Sequence, residues 1–326
     1  MKTSVITLLS AIFLASSVVA APAAVPNYRV EKCTKPGVVA WTFDDGPGPY
    51  NDRLLKILGD RNIKVTFFML GSMIDANPSQ AASLKKVLDA GHMLASHTYT
   101  HEKSLTAMSA AELTSEVTRT SDAMFKNSGV KPAYVRAPRG ECDQQCINRL
   151  TAMNLVVSHW NVDTNDWRQM EMAKKNPQQA ATVSMEEPTK VIGASNPATD
   201  SFILLQHEIH EFSVDILANK IADLITQKGY KFVTMEECIG VPAYLDGSTV
   251  PPTTPPAATS PVVPPPPAGA TTAPGAVVPT PSVGGPQVTV QPKPSTTAGN
   301  STGGAGIVKA GAWAMGLAAA VGYAFL

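Results

Sequence analysis

The sequence carries no excess of charge, because 26 Lys and Arg residues balance 26 Asp and Glu residues among 326. A protein that binds the phosphates of nucleic acids needs a basic face. Electrostatic binding to an anionic lipid surface needs a basic patch as well. We therefore expect no nucleic-acid partner and no electrostatic docking on lipid.

Residues 251–300 lack almost every residue type that fills a hydrophobic core. They contain no Leu, Ile, Met, Phe, Tyr, Trp or Cys, but 15 of the 27 prolines of the chain. Such a segment cannot bury enough apolar surface to fold and stays extended. The stretch 247–300, which is rich in Pro, Thr, Ser and Ala, is predicted to be an O-glycosylated stalk. A folded domain is expected over 25–246, which is long enough for one large core.

The first 20 residues have the pattern of a secretory signal peptide. A lysine precedes an uninterrupted apolar run, and small residues follow as candidate cleavage sites. The alternative is a membrane anchor, but the run is short for a membrane span and no stop-transfer segment follows it. We expect segment 1–20 to direct the chain into the secretory pathway and to be removed.

The C-terminal residues have the pattern of a signal for a glycosylphosphatidylinositol (GPI) anchor. Ala310–Leu326 is apolar and rich in small residues, and a short polar stretch precedes it. We place the lipid on Asn300, with Gly303–Gly304 as the second choice, and expect 301–326 to be removed. The alternative is a tail-anchored helix. The anchor predicts a protein on the cell surface, held to the plasma membrane by the lipid and reaching the cell wall.

Four cysteines in an oxidising compartment predict two disulfides. Three pairings are possible. We favour Cys142–Cys146, which closes a small loop, together with Cys33–Cys238, which joins the two ends of the folded region. A zinc site is the alternative for the cysteines, but the sequence has no pair of C-x2-C clusters.

Between residues 25 and 246, apolar runs typical of buried parallel strands alternate with helical patterns. Val38–Phe43 and Met93–Ser96 are such runs, whereas Pro78–Ala90 and the capping box that begins at Ser109 predict helices. This alternation predicts an α/β barrel or a doubly wound sheet. Charged and polar clusters recur directly after the strands, where a barrel of parallel strands carries its active site.

Two adjacent aspartates and a pair of histidines follow two of the predicted strands. Asp44 and Asp45 are neighbouring carboxylates that repel each other, so a cation is expected beside them. His97 and His101 are separated by three residues and can chelate one metal with an aspartate, as zinc sites do. The alternatives are a simple turn for the aspartates and a surface coincidence for the histidines.

Three further strand ends carry charged or polar groups. Arg136 supplies a fixed cation, Asp163–Trp167 supplies two carboxylates and an indole, and His207 follows an apolar strand. Each of these alone is explained by a salt bridge, a turn or a capped strand. Five such endings in one domain favour a metal-dependent catalytic site.

Five segments of the chain resemble, in their order, the five motifs of carbohydrate esterase family 4, the polysaccharide deacetylases with a NodB homology domain. They are Thr42–Pro47, His97–His101, Arg136–Gly140, Asp163–Trp167 and Leu205–His207. The resemblance covers residues 30–240 and implies a distorted (β/α) barrel with fewer than eight strands. With its signal, stalk and anchor, the chain is similar to the fungal chitin deacetylases of that family.

The resemblance implies a metal site and a general base. Asp45, His97 and His101 would bind a divalent metal, usually Zn²⁺ or Co²⁺. Asp44 would be the general base, held by Arg136. The chemistry of the residues agrees with these roles, because a guanidinium beside a carboxylate keeps it ionised.

The resemblance also implies a general acid and a substrate pocket. His207 would be the acid that protonates the amine leaving group, a task suited to an imidazole. Asp163 or Asp166 would orient and tune it. Trp167 would form a wall of the pocket, and Leu205 would line the site of the acetyl methyl group.

The third motif departs from the family pattern, which usually has a Tyr where this chain has Arg139. The oxyanion donor at that position is a backbone N–H, which Arg139 still supplies. Its side chain would line the substrate groove, where a cation would disfavour sugars that are already deacetylated and cationic. This departure concerns the substrate more than the catalysis.

The resemblance predicts a monomer that removes N-acetyl groups from N-acetylglucosamine units of cell-wall chitin, giving chitosan and acetate. One alternative is a deacetylase that prefers partly deacetylated chitosan, and another is an acetyl esterase acting on a polysaccharide such as xylan. A non-enzymatic wall-binding module is the third alternative. The presence of Asp44, Asp45, His97, His101 and His207 argues against it, because a scaffold without activity has no chemical need for all five.

The predicted anchor can be tested on intact cells. A stalk of about 50 residues at ~3.1 Å per residue reaches ~150 Å, which lifts the folded domain off the membrane while it stays tethered. A phosphatidylinositol-specific phospholipase should therefore release the protein into the supernatant. Retention on the membrane, with the peptide after Lys309 still attached in mass spectrometry, would contradict the anchor and favour a transmembrane tail.

Overall fold

The computed structural model describes residues 24–246. The predicted signal peptide 1–20, the stalk 247–300 and the anchor signal 301–326, with its attachment site Asn300, lie outside these residues. Among the helices of residues 24–246, none combines the length and the apolar character that a membrane span requires.

One sheet of parallel strands forms the centre of the fold. Within the described residues the strands are β1 (Val38–Gly46), β2 (Thr66–Met69), β3 (Met93–Ser96), β4 (Tyr134–Arg136), β5 (Val156–Ser158), β6 (Val162–Asp163), β7 (Phe202–His207) and β8 (Lys231–Val233). Nearly all positions of β1 to β5 and β7 are buried, as expected for strands that are covered on both faces.

The sheet curls into an open barrel. Its strand order is β5-β4-β3-β2-β1-β7-β6, and β5 and β6 at its two ends do not pair with each other. The short strand β8 pairs with the start of β1 at Val38–Ala40, before β1 begins to pair with β2 at Thr42. The open barrel thus consists of seven consecutive strands, and β8 is attached only to β1. The expectation of a distorted (β/α) barrel with fewer than eight strands is confirmed.

Helices connect the strands and cover the sheet. Their bounds are α1 (Asn51–Asp60), α2 (Gly71–Ala76), α3 (Pro78–Ala81), α4 (Ser83–Asp89), α5 (Ala110–Ser128), α6 (Gln144–Thr151), α7 (Met170–Ala173), α8 (Pro177–Ser184), α9 (Glu186–Val191), α10 (Ala218–Gln227) and α11 (Met235–Ile239). Three 3₁₀ turns, Leu105–Ala107, Pro138–Gly140 and Asp166–Gln169, and a π-helical turn, Ser213–Leu217, complete the elements.

The predicted elements match the structure except at some of their boundaries. The capping box at Ser109 begins α5: the Ser109 hydroxyl accepts from the N–H of Glu112, and the Glu112 carboxylate accepts from the N–H of Ser109. The helix predicted over Pro78–Ala90 forms as two consecutive helices, α3 and α4, which meet at Ala82; the backbone of Ala82 is itself in the right-handed helical region. The first strand continues through both aspartates to Gly46, three residues beyond its predicted end at Phe43.

Two disulfides join the four cysteines. Cys33 is bonded to Cys238, 205 residues further along the chain, and Cys142 is bonded to Cys146. These are the two pairs favoured from the sequence. A cross-link that closes so long a loop restricts the unfolded chain strongly, and removing such a disulfide typically costs about 2–5 kcal/mol.

The parallel arrangement places the chemically active residues at one edge of the sheet. Asp44, near the end of β1, pairs in register with His207, the last residue of β7. Asp163, the last residue of β6, pairs with Leu205 on the other side of β7. Since all the strands point the same way, the segments that follow β3 and β4 begin at this edge too.

Candidate metal and active site

The two adjacent aspartates face different partners. In a regular strand, successive side chains point to opposite faces of the sheet. Here the pairing of β1 with β2 shifts its register between Asp44 and Gly46, and Asp45 adopts a left-handed backbone conformation with φ of 71°. This irregularity turns both carboxylates toward the same edge of the barrel, with Asp44 buried and Asp45 partly exposed.

Asp44 forms a buried ion pair with Arg136. The Arg136 Nη1 atom donates to Asp44 Oδ1 at 2.7 Å and to the Thr42 hydroxyl at 2.7 Å. Burial raises the pKa of Asp44 above its ordinary value, and the Arg136 guanidinium opposes this rise. The carboxylate is therefore a stronger base than an exposed aspartate, while the ion pair fixes its position.

Asp45, His97 and His101 form the one group of possible metal ligands found among residues 24–246. One donor atom from each residue lies within 4.8 Å of the other two. His97 Nε2 is 3.4 Å from Asp45 Oδ1, and His101 Nε2 is 3.7 Å from the same oxygen. These distances are too long for hydrogen bonds and leave the three atoms arranged around a common point.

The protonation of His97 suits a metal ligand. Its Nδ1 atom lies 3.0 Å from the carbonyl oxygen of Arg136. Because a carbonyl oxygen only accepts, Nδ1 carries the hydrogen and the lone pair of Nε2 faces Asp45. Burial lowers the pKa of His97 to about 3, so the ring is neutral at physiological pH.

The arrangement fits a divalent cation. Asp45 Oδ1 is buried and has no hydrogen-bond donor, and the nearest polar atom of His97 presents a lone pair to it. A buried carboxylate oxygen without a donor is costly unless a cation satisfies it. Two imidazoles and one carboxylate are ligands that catalytic zinc sites use.

His207 is tuned by Asp166. Its Nδ1 atom lies 2.7 Å from Asp166 Oδ1, and its Nε2 atom lies 3.9 Å from Asp45 Oδ2. Burial lowers the pKa of His207, but the Asp166 carboxylate, helped by Asp45 and Asp44, raises it to about 9. The imidazole is therefore protonated at neutral pH, with Nε2 toward the metal ligands.

The structure distinguishes between the two aspartates that were candidates to orient His207. Asp166 is fully buried, and its Oδ2 atom also accepts from the Ser213 hydroxyl at 2.6 Å. Asp163 makes no hydrogen bond to His207. Its Oδ1 atom accepts instead from the N–H of Asn165 at 2.7 Å, within the turn. Asp166 is thus the orienting partner in the structure.

The predicted substrate contacts lie at the same edge, and their roles stay predictions. Arg139 follows β4 in a left-handed conformation with φ of 54°, and its side chain is half-exposed. Trp167 is 47% exposed, with the Arg168 guanidinium 4.6 Å from its ring centroid. Leu205 is buried within β7.

Sequence reasoning missed Glu208, a further buried carboxyl group at this edge beside Asp44 and Asp166. Its Oε2 atom accepts from the Asn51 amide at 2.6 Å, whereas its Oε1 atom has no donor. Burial raises the pKa of Glu208 to about 8. A Cβ atom on residue 46, the last residue of β1, would overlap this carboxyl group, so the close approach of the two requires a glycine there. The signal in the sequence was its position directly after His207.

Comparison with known proteins assigns the family. Residues 31–158 match the family model described as polysaccharide deacetylase. The chain is 34% identical over 212 residues to a chitin deacetylase of Colletotrichum lindemuthianum, covering 64% of this chain and 82% of that protein. The chain belongs to the polysaccharide deacetylases of carbohydrate esterase family 4.

A bacterial relative and a solved structure match over a similar length of chain. A peptidoglycan-N-acetylglucosamine deacetylase of Listeria monocytogenes is 33% identical over 220 residues, but the match spans only 42% of that protein. The solved structure of the Colletotrichum lindemuthianum chitin deacetylase gives a TM-score of 0.62 at 32% identity, covering 67% of this chain and 94% of that one. The resemblance inferred from the five motifs is confirmed.

The contact between Asp166 and His207 predicts a change in the pH dependence of turnover. Asp166 raises the pKa of His207, so Asp166→Asn should lower it by about one to three units. A general acid must be protonated, and the alkaline limb of the kcat/KM profile should therefore move to lower pH by that amount. Turnover at neutral pH should fall in parallel.

Asp163→Asn is the matched control for this prediction. It removes a carboxylate that makes no hydrogen bond to the imidazole and acts on it only through its charge, so the alkaline limb should move much less than in Asp166→Asn. An Asp166→Asn profile with an unmoved alkaline limb, or a shift of equal size in Asp163→Asn, would contradict the assignment of Asp166.

Proposed function

We propose that the chain is a metal-dependent deacetylase that removes acetyl groups from N-acetylglucosamine units of chitin, giving chitosan and acetate. The family membership supports the reaction class. Relatives that are named chitin deacetylase or peptidoglycan-N-acetylglucosamine deacetylase support the sugar. Chitin is the preferred polymer of this proposal because the Colletotrichum lindemuthianum protein matches over most of its length.

The observation that carries the proposal is the position of a base and an acid around one set of metal ligands. Asp44 Oδ2 lies 3.6 Å from His97 Nε2, and His207 Nε2 lies 3.9 Å from Asp45 Oδ2. A carboxylate and a protonated imidazole thus face the same small volume. Amide hydrolysis needs this pairing, because water must lose a proton and the amine must gain one.

Asp44 and His207 supply the two proton transfers that hydrolysis of the amide requires. Asp44 takes a proton as the water oxygen bonds to the acetyl carbonyl carbon. His207 donates the proton on Nε2 to the amide nitrogen as the C–N bond breaks, which releases the amine of the sugar and acetate. A divalent cation held by Asp45, His97 and His101 would supply a Lewis acid at this point. We propose Zn²⁺ or Co²⁺ as that cation.

Two half-exposed side chains beside the site support a sugar polymer as the substrate. The Trp167 indole gives an apolar surface on which a sugar ring can stack. The Arg139 Nε atom lies 3.7 Å from Glu141 Oε1, which is too long for a hydrogen bond. The Arg139 guanidinium carries a fixed positive charge, as arginine does in proteins, and this charge repels the amine of a deacetylated sugar, which favours acetylated chitin over chitosan.

The proposal is tested by acetate release from chitin oligomers of several lengths, measured with and without a strong chelator. We expect acetate from chitin oligomers, loss of that activity in the chelated protein, and recovery when zinc or cobalt is added. Full activity in the metal-free protein would contradict the metal-dependent mechanism.

Partly deacetylated chitosan and acetylated xylan serve as comparison substrates in the same assay. Chitin oligomers should give the highest kcat/KM. A higher kcat/KM on chitosan would favour the alternative that the enzyme prefers partly deacetylated chitosan. A higher kcat/KM on acetylated xylan would favour the alternative that it is an acetyl esterase. No acetate from any of them, with the metal bound, would contradict the proposed reaction.

A further inference from the structure

The loop between the two histidine ligands has a strained backbone. Thr98 and His101 adopt the left-handed conformation, with φ of 70° and 62°. Residues other than glycine rarely hold this conformation unless their surroundings impose it. The relative position of the His97 and His101 rings therefore depends on what holds this loop from outside.

Helix α5 holds the loop through the Arg119 guanidinium, which stacks on the Tyr99 ring at 3.5 Å, and through the Glu116 carboxylate, which binds the loop backbone. Glu116 Oε2 accepts from the backbone N–H of Tyr99 at 2.9 Å and from that of Thr100 at 2.8 Å. Its Oε1 atom accepts from the Thr100 hydroxyl at 3.0 Å. Both backbone N–H donors belong to the loop, so the loop cannot move without breaking these hydrogen bonds. Hydrogen bonds to a charged acceptor are stronger than those between neutral groups.

Glu116 has no other evident task. It is 9% exposed, and within residues 24–246 no cationic side chain forms an ion pair with it. A buried carboxylate without a cation is expensive to keep. The hydrogen bonds that offset this cost in the described structure all come from Tyr99 and Thr100.

The start of helix α2 holds the other side of the loop. The N–H of Gly71 donates to the Thr98 carbonyl and the N–H of Ser72 to the Tyr99 carbonyl, both at 3.0 Å. A Cβ atom on residue 71 would overlap the Tyr99 ring, so α2 and the loop are in direct contact. The carbonyls thus bind α2, and the N–H groups bind Glu116.

His101 depends on this arrangement more than His97 does. The His97 ring is buried and is fixed separately by the carbonyl oxygen of Arg136. The side chain of His101 is 32% exposed and follows directly after Thr100. The hydrogen bonds of Glu116 to Tyr99 and Thr100 therefore set where the His101 imidazole meets the other two ligands.

We propose that Glu116 is a positioning residue that fixes the His97–His101 loop in its metal-binding conformation. The proposal rests on the metal site of the proposed function. Residues that orient the ligands of a metal typically contribute about 10–100-fold to its affinity. Glu116 is expected to contribute to zinc affinity on this scale without touching the metal.

The test compares variants of Glu116 in the metal-free and zinc-bound protein. Glu116→Ala removes the acceptor, Glu116→Asp withdraws the carboxylate by one methylene, and Glu116→Gln keeps the length and one acceptor oxygen. Asp122→Ala is the matched control, because Asp122 is an exposed carboxylate of the same helix. Circular dichroism and the thermal midpoint report whether each variant is folded.

Two readouts separate positioning from overall stability. Competition with a chromogenic chelator should show zinc binding weakened by about 10–100-fold in Glu116→Ala and Glu116→Asp. Affinity should be close to the wild-type value in Glu116→Gln and Asp122→Ala. In the metal-free protein, amide hydrogen exchange of Tyr99 and Thr100 should be faster in Glu116→Ala and Glu116→Asp alone.

Wild-type zinc affinity in folded Glu116→Ala and Glu116→Asp would overturn the proposal while leaving the proposed function intact. If Glu116→Ala does not fold, the comparison of Glu116→Asp with Glu116→Gln decides, and equal affinities would overturn the proposal. A wild-type chain that binds no zinc or cobalt would refute the metal site itself, and this proposal with it.

Discussion

The buried guanidinium of Arg136 connects the parts of the site to one another. It donates to Asp44 and to the carbonyl oxygen of His159, and it lies 4.0 Å from the ring centroid of Phe68. The carbonyl oxygen of the same residue fixes the His97 ring. The side chain and the backbone carbonyl of this one residue on β4 thus contact the proposed base, a candidate metal ligand and the segment after β5. Because removing one partner of a buried ion pair typically costs about 3–5 kcal/mol, the edge of the barrel tolerates little change there.

Two successive residues have different tasks because the backbone is irregular where they lie. The register shift in β1 and the positive φ of Asp45 send one carboxylate to a guanidinium and the other to two imidazoles. Left-handed residues recur at Thr98, His101 and Arg139, each close behind a strand end. Such conformations cost about 1–3 kcal/mol each and persist where surrounding contacts impose them. Rigid strands and strained turns together fix the site.

Much of the site could be predicted from the sequence, because parallel strands bring their following residues to one edge. This geometry predicts that Asp44, Asp45, His97 and His207 lie together, as they do in the structure. Spacing alone did not separate Asp163 from Asp166, since the choice depends on which turn residue reaches β7. Nor did spacing reveal the role of Glu116, because the helical pattern of α5 predicts that this residue lies on a helix but not which loop it contacts. The contacts of such residues arise from tertiary packing, which local patterns do not record.

In the proposed mechanism, Asp45 is a metal ligand and Asp44 is the base beside it. The most direct test is the metal content of purified Asp44→Asn and Asp45→Asn by elemental analysis, together with acetate release from chitin oligomers. We expect Asp44→Asn to keep its metal and to lose at least about 10²-fold in turnover, whereas Asp45→Asn should lose its metal. Loss of the metal from Asp44→Asn, with metal retained in Asp45→Asn, would contradict this mechanism.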